Sequence, residues 1–290
     1  MKDYVIITDS CSDMPAEMAK ELDVTVIPMK FSLGGRTYTN YSDNHELAVH
    51  DFYDMLRSGE QSKTSQLSPS DFHEYFTPFL EQGKNILYIA FSSGLSGTYQ
   101  NSLIAARELE EEFPERRIEC FDSLCACIGE CALVWYAVRK KQDGYSLEEV
   151  LGWLNANRLH LCHWFTVDDL GHLKRGGRVS AATALAGTML KIKPILHVDD
   201  EGHLISVGKV RGRKASLDAI INKVGETGID IEKQTIFVSH GDSPEEAKYV
   251  ADEIKKRYHV HDVIVAEIGP VIGAHSGPGT MAVYYLGTER

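Results

Sequence analysis

Four segments of this 290-residue chain concentrate small polar side chains in a way that suits a ligand site. They are residues 8–13 (TDSCSD), 63–69 (KTSQLSP), 92–98 (SSGLSGT) and 269–279 (GPVIGAHSGPG). The third is the most informative, because it falls between a predicted strand and a predicted helix. Unpaired N–H groups and the positive end of the helix dipole would lie there. Its hydroxyls and glycines would bind a carboxylate or phosphate, or would only cap the helix.

The common catalytic and nucleotide-binding motifs do not match these segments. Ser96 stands in G-L-S-G-T, which lacks the last glycine of the G-x-S-x-G nucleophile elbow. The sequence has no G-x-x-x-x-G-K-[ST] phosphate loop and no G-x-G-x-x-G after a strand. Asp9 and Asp13 could form a carboxylate pair, although capping of the first helix is the preferred interpretation. His275, in a predicted glycine-rich loop, could contact an anion, act as a base or be structural.

The cysteines raise the question of a metal site. Four of the six, Cys120, Cys125, Cys127 and Cys131, are close in sequence, but they lack the paired C-x2-C spacing of structural zinc sites. Because cysteine is readily buried as a small apolar residue, core packing is the preferred interpretation. We expect no metal and no disulfide.

The charge balance argues against a nucleic-acid-binding protein. The chain has 30 basic and 42 acidic residues and a formal net charge of -12, whereas binding to phosphates requires clustered cations. Two basic segments stand out, residues 174–178 (KRGGR) and 209–214 (KVRGRK). They are either a docking surface for an acidic or phosphorylated partner, or solvated charges.

The apolar segments are too short for a membrane helix. The longest strongly apolar one, residues 131–138, is far shorter than the roughly 20 residues needed to cross a bilayer. The N-terminus has only three apolar residues before a polar one, and it predicts a strand rather than a signal peptide. We therefore expect a cytoplasmic protein.

The order of apolar runs predicts an α/β protein. Strands are expected at residues 4–7, 24–27, 85–91, 118–121, 161–167, 192–198, 204–210, 235–239 and 263–268. Helices are expected to begin at Ser68–Pro69 and at Ser180, and to span about 97–112 and 244–258. This alternation predicts a mostly parallel sheet flanked by helices, and residues 199–202 predict a hairpin turn. We expect two closely packed units, residues 1–160 and a smaller α/β unit at 161–290.

In this order, the segments resemble the DegV family. The resemblance covers the whole chain: T-D-S (8–10), T-S-Q (64–66), S-G-L-S-G-T-Y (93–99), D-S (122–123), D-L (169–170), K-R-G-G-R-V-S (174–180), K-I-K-P-I (191–195), K-V-R (209–211) and G-P-V-I-G-A-H-S-G-P-G (269–279). Each piece alone is weak, but the combination is specific.

The resemblance implies a DegV-like fold that buries one long-chain fatty acid, such as palmitate, between the two units. In the family, a Thr of T-S-Q, the Ser of L-S-G and a His near the C-terminus bind the carboxylate. Carried over by motif, these are Thr64, Ser96 and His275. Further candidates for the pocket are Ser93, Gly97 and Thr98.

The resemblance also implies a carrier rather than an enzyme. Some family members present the fatty acid to a separate ATP-binding fatty acid kinase, which makes an acyl phosphate for phospholipid metabolism. Arg178 and Arg211, in the two basic segments, are the candidates for docking this partner. No cofactor, nucleic acid or membrane insertion is expected. The alternative is a hydrolase or acyltransferase that uses Ser96 and His275.

Overall fold

The computed structural model of the chain describes residues 3–179 and 191–290. Its strands are Tyr4–Asp9 (β1), Thr25–Ile27 (β2), Met29–Leu33 (β3), Arg36–Asn40 (β4), Lys63–Ser65 (β5), Asn85–Ala90 (β6), Ile118–Asp122 (β7), Leu161–Thr166 (β8), Ile192–Val198 (β9), Leu204–Arg211 (β10), Thr235–His240 (β11), Asp262–Glu267 (β12) and Met281–Leu286 (β13). Its helices are Ala16–Glu21 (α1), Val49–Arg57 (α2), Pro69–Glu81 (α3), Thr98–Glu112 (α4), Ile128–Gln142 (α5), Leu147–Asn157 (α6), Gly171–Arg175 (α7), Arg213–Thr227 (α8), Pro244–Tyr258 (α9) and Pro270–Ser276 (α10). The helix predicted from Ser180 lies outside the described residues.

The first sheet is parallel and has helices on both faces, as predicted. Its order is β2-β1-β6-β7, and each neighbouring pair is parallel. All six residues of β6 are buried. Ile86 and Tyr88 pack in one cluster with α3 and α4, whereas Leu87 and Ile89 pack in another with α5. Successive side chains of a strand point to opposite faces of the sheet, so alternate residues of β6 pack against the helices on opposite faces.

The second sheet is mixed rather than mostly parallel. Its order is β10-β9-β8-β13-β11-β12, in which only β11 and β12 run parallel. β13, which lies between β8 and β11, was not predicted from the sequence. Helix α5 contacts strands of both sheets, and its residues 128–138 are almost all apolar, as expected for a helix segment buried between two sheets.

The third sheet was not predicted. It is antiparallel with the order β4-β3-β5, and Thr64 of β5 pairs with Phe31 of β3. β5 ends at Ser65, only three residues before the N-cap of α3. There Ser68 and Asp71 form a reciprocal capping box, so the predicted helix start at Ser68–Pro69 is confirmed. The segment that carries Thr64 is therefore fixed at both ends.

The predicted hairpin between β9 and β10 is confirmed, and its tip packs against the loop of residues 91–97 between β6 and α4. The strands are antiparallel, and Gly202 in the turn has a φ of 80°. Ser92 Oγ donates to Gly202 O at 2.9 Å. A Cβ on Gly94 would lie 2.7 Å from Glu201 O, so glycine is needed for this close approach.

Two sequence interpretations are corrected by the structure. Asp9 does cap a helix, the short 3-10 helix Ser10–Ser12 before α1, by accepting a hydrogen bond from Cys11 N. Asp13 does not cap α1, whose N-cap is Pro15, and instead accepts a hydrogen bond from Gly269 N. His275 lies in the last turn of α10 rather than in a loop. Its helix contains Gly273, which lowers helix propensity, and is flanked by Gly269 and Gly277, so tertiary packing decides the conformation.

The clustered cysteines are part of the hydrophobic core. Cys125, Cys127 and Cys131 are fully or almost fully buried, and Cys131 Sγ lies 3.6 Å from Met18 Sδ. This packing agrees with the interpretation that the sequence favoured. Within residues 3–179 and 191–290, no helix has both the length and the apolar character of a membrane span.

Candidate functional site

Thr64 and His275 form the centre of the candidate site, although 211 residues separate them in sequence. Thr64 Oγ1 lies 2.8 Å from His275 Nε2, and both side chains are partly buried. Thr64 comes from β5 and His275 from α10, two elements that contact each other directly. The fold thus brings together two of the three carboxylate-binding residues expected from the resemblance.

Gly176 gives the His275 ring its space. A Cβ on Gly176 would come within 2.3 Å of His275 Nδ1, closer than nonbonded atoms approach. Gly176 follows the last residue of α7 and has a φ of -71°, so its backbone does not itself require glycine. The absence of a side chain therefore serves the contact with the imidazole. This explains one glycine of the K-R-G-G-R segment.

Ser96 lies in the loop between β6 and α4 and borders the same cavity as Thr64 and His275. Its Oγ accepts a hydrogen bond from Thr98 N at 3.2 Å and lies 2.9 Å from Thr98 Oγ1. Ser96 is thereby held at the start of α4, where unpaired helix N–H groups favour an anion.

The three further candidates, Ser93, Gly97 and Thr98, do not line this cavity. Thr98 is fully buried and supports Ser96, and Ser93 N donates to Asp122 Oδ1 at 3.1 Å. Gly97 faces the T-S-Q segment, since a Cβ there would come within 2.4 Å of Gln66 Oε1. Of the three, Thr98 contacts Ser96 directly and helps to position it.

The cavity beside these polar groups has a volume of about 410 Å³ and a largely apolar wall. It is lined by Cys11, Met29, Thr64, Ser65, Gln66, Phe91, Leu95, Ser96, Ala126, Leu173, Arg178, Leu204, Val271, Ile272, His275 and Ser276. A smaller apolar cavity of about 50 Å³ shares five of these residues and continues towards Phe165 and Tyr284. The polar groups are thus next to an apolar space of the size that small-molecule sites have.

Sequence reasoning missed most of this apolar wall. Cys11 and Met29, for example, lie on different elements, and their sulfur atoms are 3.1 Å apart. No periodic pattern links residues that come from so many strands, helices and loops. Their apolar character was visible, but their common cavity was not.

His275 is neutral near pH 7. Burial and the neighbouring Arg178 guanidinium lower the pKa of His275 to about 4. Its Nδ1 is buried and has no hydrogen-bond partner among the described residues. Arg178 borders the cavity, and its Nε donates to Leu95 O at 3.3 Å. Arg211, in contrast, is exposed at the end of β10 and does not border this cavity.

The geometry does not resemble a nucleophile and its base. In residues 3–179 and 191–290, Ser96 Oγ bonds with Thr98, while His275 Nε2 bonds with Thr64. No hydrogen bond joins Ser96 to His275 there, whereas a nucleophilic serine needs its base within reach. The arrangement suits binding of an anionic group at the end of an apolar ligand.

Comparison with known proteins gives one family for the whole chain. The family model described as "Uncharacterised protein, DegV family" matches residues 3–288. A DegV domain-containing protein of Clostridium perfringens is 44% identical over 290 residues, which cover 100% of this chain and 99% of that protein.

Solved structures give the same fold. A structure described as fatty acid binding of a DegV family protein from Thermus thermophilus has a TM-score of 0.89 and 30% identity, and covers 99% of this chain and 100% of that chain. A structure of a DegV lipid-binding protein from Thermotoga maritima has a TM-score of 0.87 and 29% identity, with 99% of each chain covered. The α/β fold is therefore that of these proteins.

Proposed function

Because this chain belongs to the DegV family, we propose that it binds one long-chain fatty acid in the 410 Å³ cavity and its apolar extension. The ligand lies between two units, residues 1–160 and 161–290. The Thermus and Thermotoga relatives, which are described as fatty-acid- and lipid-binding, support this proposal. The observation that carries it is the polar cluster of Thr64, Ser96 and His275 at one apolar cavity.

The apolar wall supplies the affinity. Burial of an acyl chain stabilises the complex by about 0.8 kcal/mol per CH2, or on the order of 10 kcal/mol for about 14 of them. Lost translational freedom and ordering of the chain offset part of this gain. The mostly apolar cavity meets the requirement of such a ligand, and no chemical step is needed.

The polar cluster orients the carboxylate. The Thr64 hydroxyl can accept a hydrogen bond from neutral His275 Nε2–H and donate its own proton to the ligand. Ser96 offers a second hydroxyl in the same cavity. These donors offset the cost of removing the carboxylate from water, which would be large without hydrogen bonds.

The function we propose is that of a carrier that presents the carboxylate to an ATP-dependent fatty acid kinase, in the cytoplasm where ATP is available. Arg178 and Arg211 would dock this partner. Their positions differ: Arg178 borders the cavity, whereas Arg211 is exposed on β10. We therefore assign Arg178 to the mouth of the site and Arg211 to the outer contact.

Native mass spectrometry of the purified protein tests the binding function. We expect one fatty acid per chain, carried over from the expression host or taken up from added palmitate. A mass that stays that of the bare chain after incubation with palmitate and with oleate would refute the proposal.

Two substitutions test the carboxylate site. Thr64→Val and Ser96→Ala each remove a hydrogen bond to a charged group, worth about 1.5–3 kcal/mol, so palmitate binding should weaken roughly ten- to a hundredfold. Thr37→Val on β4 is the matched control, because Thr37 is exposed in the same small sheet. Unchanged affinity in both site variants would place the carboxylate elsewhere. If the isolated chain hydrolyses esters and Ser96→Ala abolishes this activity, the result would instead support the alternative function of a hydrolase.

A further inference from the structure

One buried hydroxyl in the wall of the proposed fatty-acid cavity is left without a hydrogen bond. Ser276, the last residue of α10, is only 6% exposed, and its Oγ has no hydrogen-bond partner within residues 3–179 and 191–290. The residue borders both the 410 Å³ cavity and its apolar extension. A buried hydroxyl without a partner is costly, because it has given up its hydrogen bonds to water. Ser276 thus presents an unused donor to the ligand that fills this space.

Ser276 and the preceding His275 serve different parts of the ligand. His275 contacts Thr64 at the carboxylate end of the cavity. Ser276 is about 100° further round the helix and borders the apolar extension, which His275 does not. A ligand whose carboxylate lies at Thr64 and whose chain enters the extension therefore passes Ser276. The free hydroxyl faces the acyl chain rather than the carboxylate.

The other polar side chains of the extension are satisfied within the protein. They are those of Cys127, His163, Thr280 and Tyr284. Each forms a hydrogen bond with another described residue. His163, for example, uses both ring nitrogens, since Nδ1 lies 3.0 Å from Leu161 O and Nε2 accepts from Ala126 N at 3.3 Å. Within the part of the chain that the structure describes, Ser276 is therefore the unpaired polar side chain of this wall.

Thr280 supplies an acceptor beside this donor. Its Oγ1 gives its single proton to the carbonyl oxygens of Ser276 and Gly277, at 3.0 and 2.9 Å. The lone pairs of Thr280 Oγ1 remain available, because a hydroxyl accepts as well as donates. The extension thus combines the free donor of Ser276 with the acceptor of Thr280. A ligand hydroxyl, which accepts and donates, is complementary to both.

We infer that the cavity prefers a fatty acid with a hydroxyl group on its acyl chain, which accepts a hydrogen bond from Ser276 and donates one to Thr280. This inference rests on the proposed function and names the class of acyl chain. Because the α-carbons of Ser276 and His275 are only about 3.8 Å apart, the hydroxyl belongs in the half of the chain nearer the carboxylate. An unsubstituted chain such as that of palmitate leaves the Ser276 donor unpaired.

A positional series of hydroxypalmitates tests this inference by calorimetry. Each compound carries one hydroxyl at an odd-numbered carbon, and palmitate is the reference. One isomer, hydroxylated in the half nearer the carboxylate, should bind about tenfold more tightly than palmitate, because it satisfies a buried donor. Ser276→Ala should weaken binding of that isomer about tenfold and should not weaken binding of palmitate. The preference for the hydroxylated chain should then disappear.

Ser216→Ala is the matched control. Ser216 is fully buried on α8, borders neither cavity and donates from Oγ to Arg213 O at 2.7 Å. In urea unfolding of the delipidated protein, Ser216→Ala should lose stability because it removes a hydrogen bond, whereas Ser276→Ala should lose none. The Ser216 variant should keep the preference for the hydroxylated isomer.

The outcomes distinguish this inference from the proposed function. If palmitate binds and no hydroxylated isomer binds more tightly, the inference is wrong. It is also wrong if the preference survives in Ser276→Ala. A loss of stability in Ser276→Ala as large as that in Ser216→Ala would refute it as well, since the Ser276 hydroxyl would then have a partner within the protein. If neither palmitate nor any isomer binds to the wild type, the proposed function and this inference both fail.

Discussion

The carboxyl group of Asp13 gives a prediction about how stability depends on pH. Its Oδ1 accepts a hydrogen bond from Gly269 N at 2.9 Å, and its Oδ2 accepts one from Cys127 Sγ at 2.9 Å. Burial raises the pKa of Asp13 to about 7. Asparagine has the same shape, tolerates the positive φ of 48° at this position and has no charge. Asp13→Asn therefore removes the ionisation with little other change.

The sign follows from the two pKa values. Since the folded-state pKa is raised above the ordinary 3.8, the contribution to stability is fully present below about pH 4 and is lost as the pH rises to about 7. Between pH 5 and pH 8.5 the wild type loses stability equivalent to about two pKa units, or at most about 2.7 kcal/mol. Asp13 keeps partial contact with solvent, so we expect the variant to gain about 1–2 kcal/mol relative to the wild type over this interval.

Urea unfolding of both proteins at pH 5 and pH 8.5 measures this difference. Other titrating groups are common to both proteins and cancel to a first approximation. Asp23→Asn is the matched control, because Asp23 also has a positive φ, of 54°, but is exposed. The reasoning would be refuted if the difference in free energy of unfolding between Asp13→Asn and the wild type were the same at both pH values. It would also be refuted if the variant lost stability relative to the wild type as the pH rises.

Two further predictions concern the site. Gly176→Ala should force the His275 ring away from Thr64 and weaken palmitate binding, measured by calorimetry, about tenfold. Gly152→Ala is the control: Gly152 faces open space on α6, so this variant should bind palmitate as the wild type does and gain up to about 1 kcal/mol of stability. Equal palmitate affinities of the two variants would contradict this role of Gly176. Charge reversal at Arg211 should slow acyl phosphate formation by the proposed kinase partner and leave palmitate affinity unchanged. Charge reversal at Arg178 should lower both the rate of acyl phosphate formation and the palmitate affinity, and loss of lipid binding in the Arg211 variant alone would reverse the assignment.

The parallel sheet was predictable from the sequence because its strands are continuous apolar runs. Residues 85–91 are buried on both faces, so no alternation with polar residues obscures the strand. The third sheet was not predictable for the opposite reason. β5 has only three residues, Lys63–Ser65, all polar and none fully buried. Its strand conformation comes from pairing with β3, a partner 30 residues earlier in the chain.

The conformation of α10 depends on contacts that no local pattern records. Gly273 within the helix and Gly269 and Gly277 at its ends are typical of a loop, but a Cβ on Gly273 would lie 2.6 Å from Tyr53 Oη. Glycine thus allows α10 to pack closely against α2, and this packing outweighs the low helix propensity. For the same reason the residues alone left the role of His275 open. The resemblance named it, and the structure showed Thr64 as its neighbour.

The position of β13 has a consequence for how the chain folds. β13 pairs with β8 on one side and with β11 on the other, yet more than 100 residues lie between β8 and β13. Until β13 docks, β8 and β11 each have an open edge, and every residue of both strands is buried in the final fold. Such non-local pairing slows folding, and open apolar edges accept strands of other molecules. Refolding at high protein concentration should therefore favour exchange of β13 between chains, whereas dilution should favour the monomeric sheet.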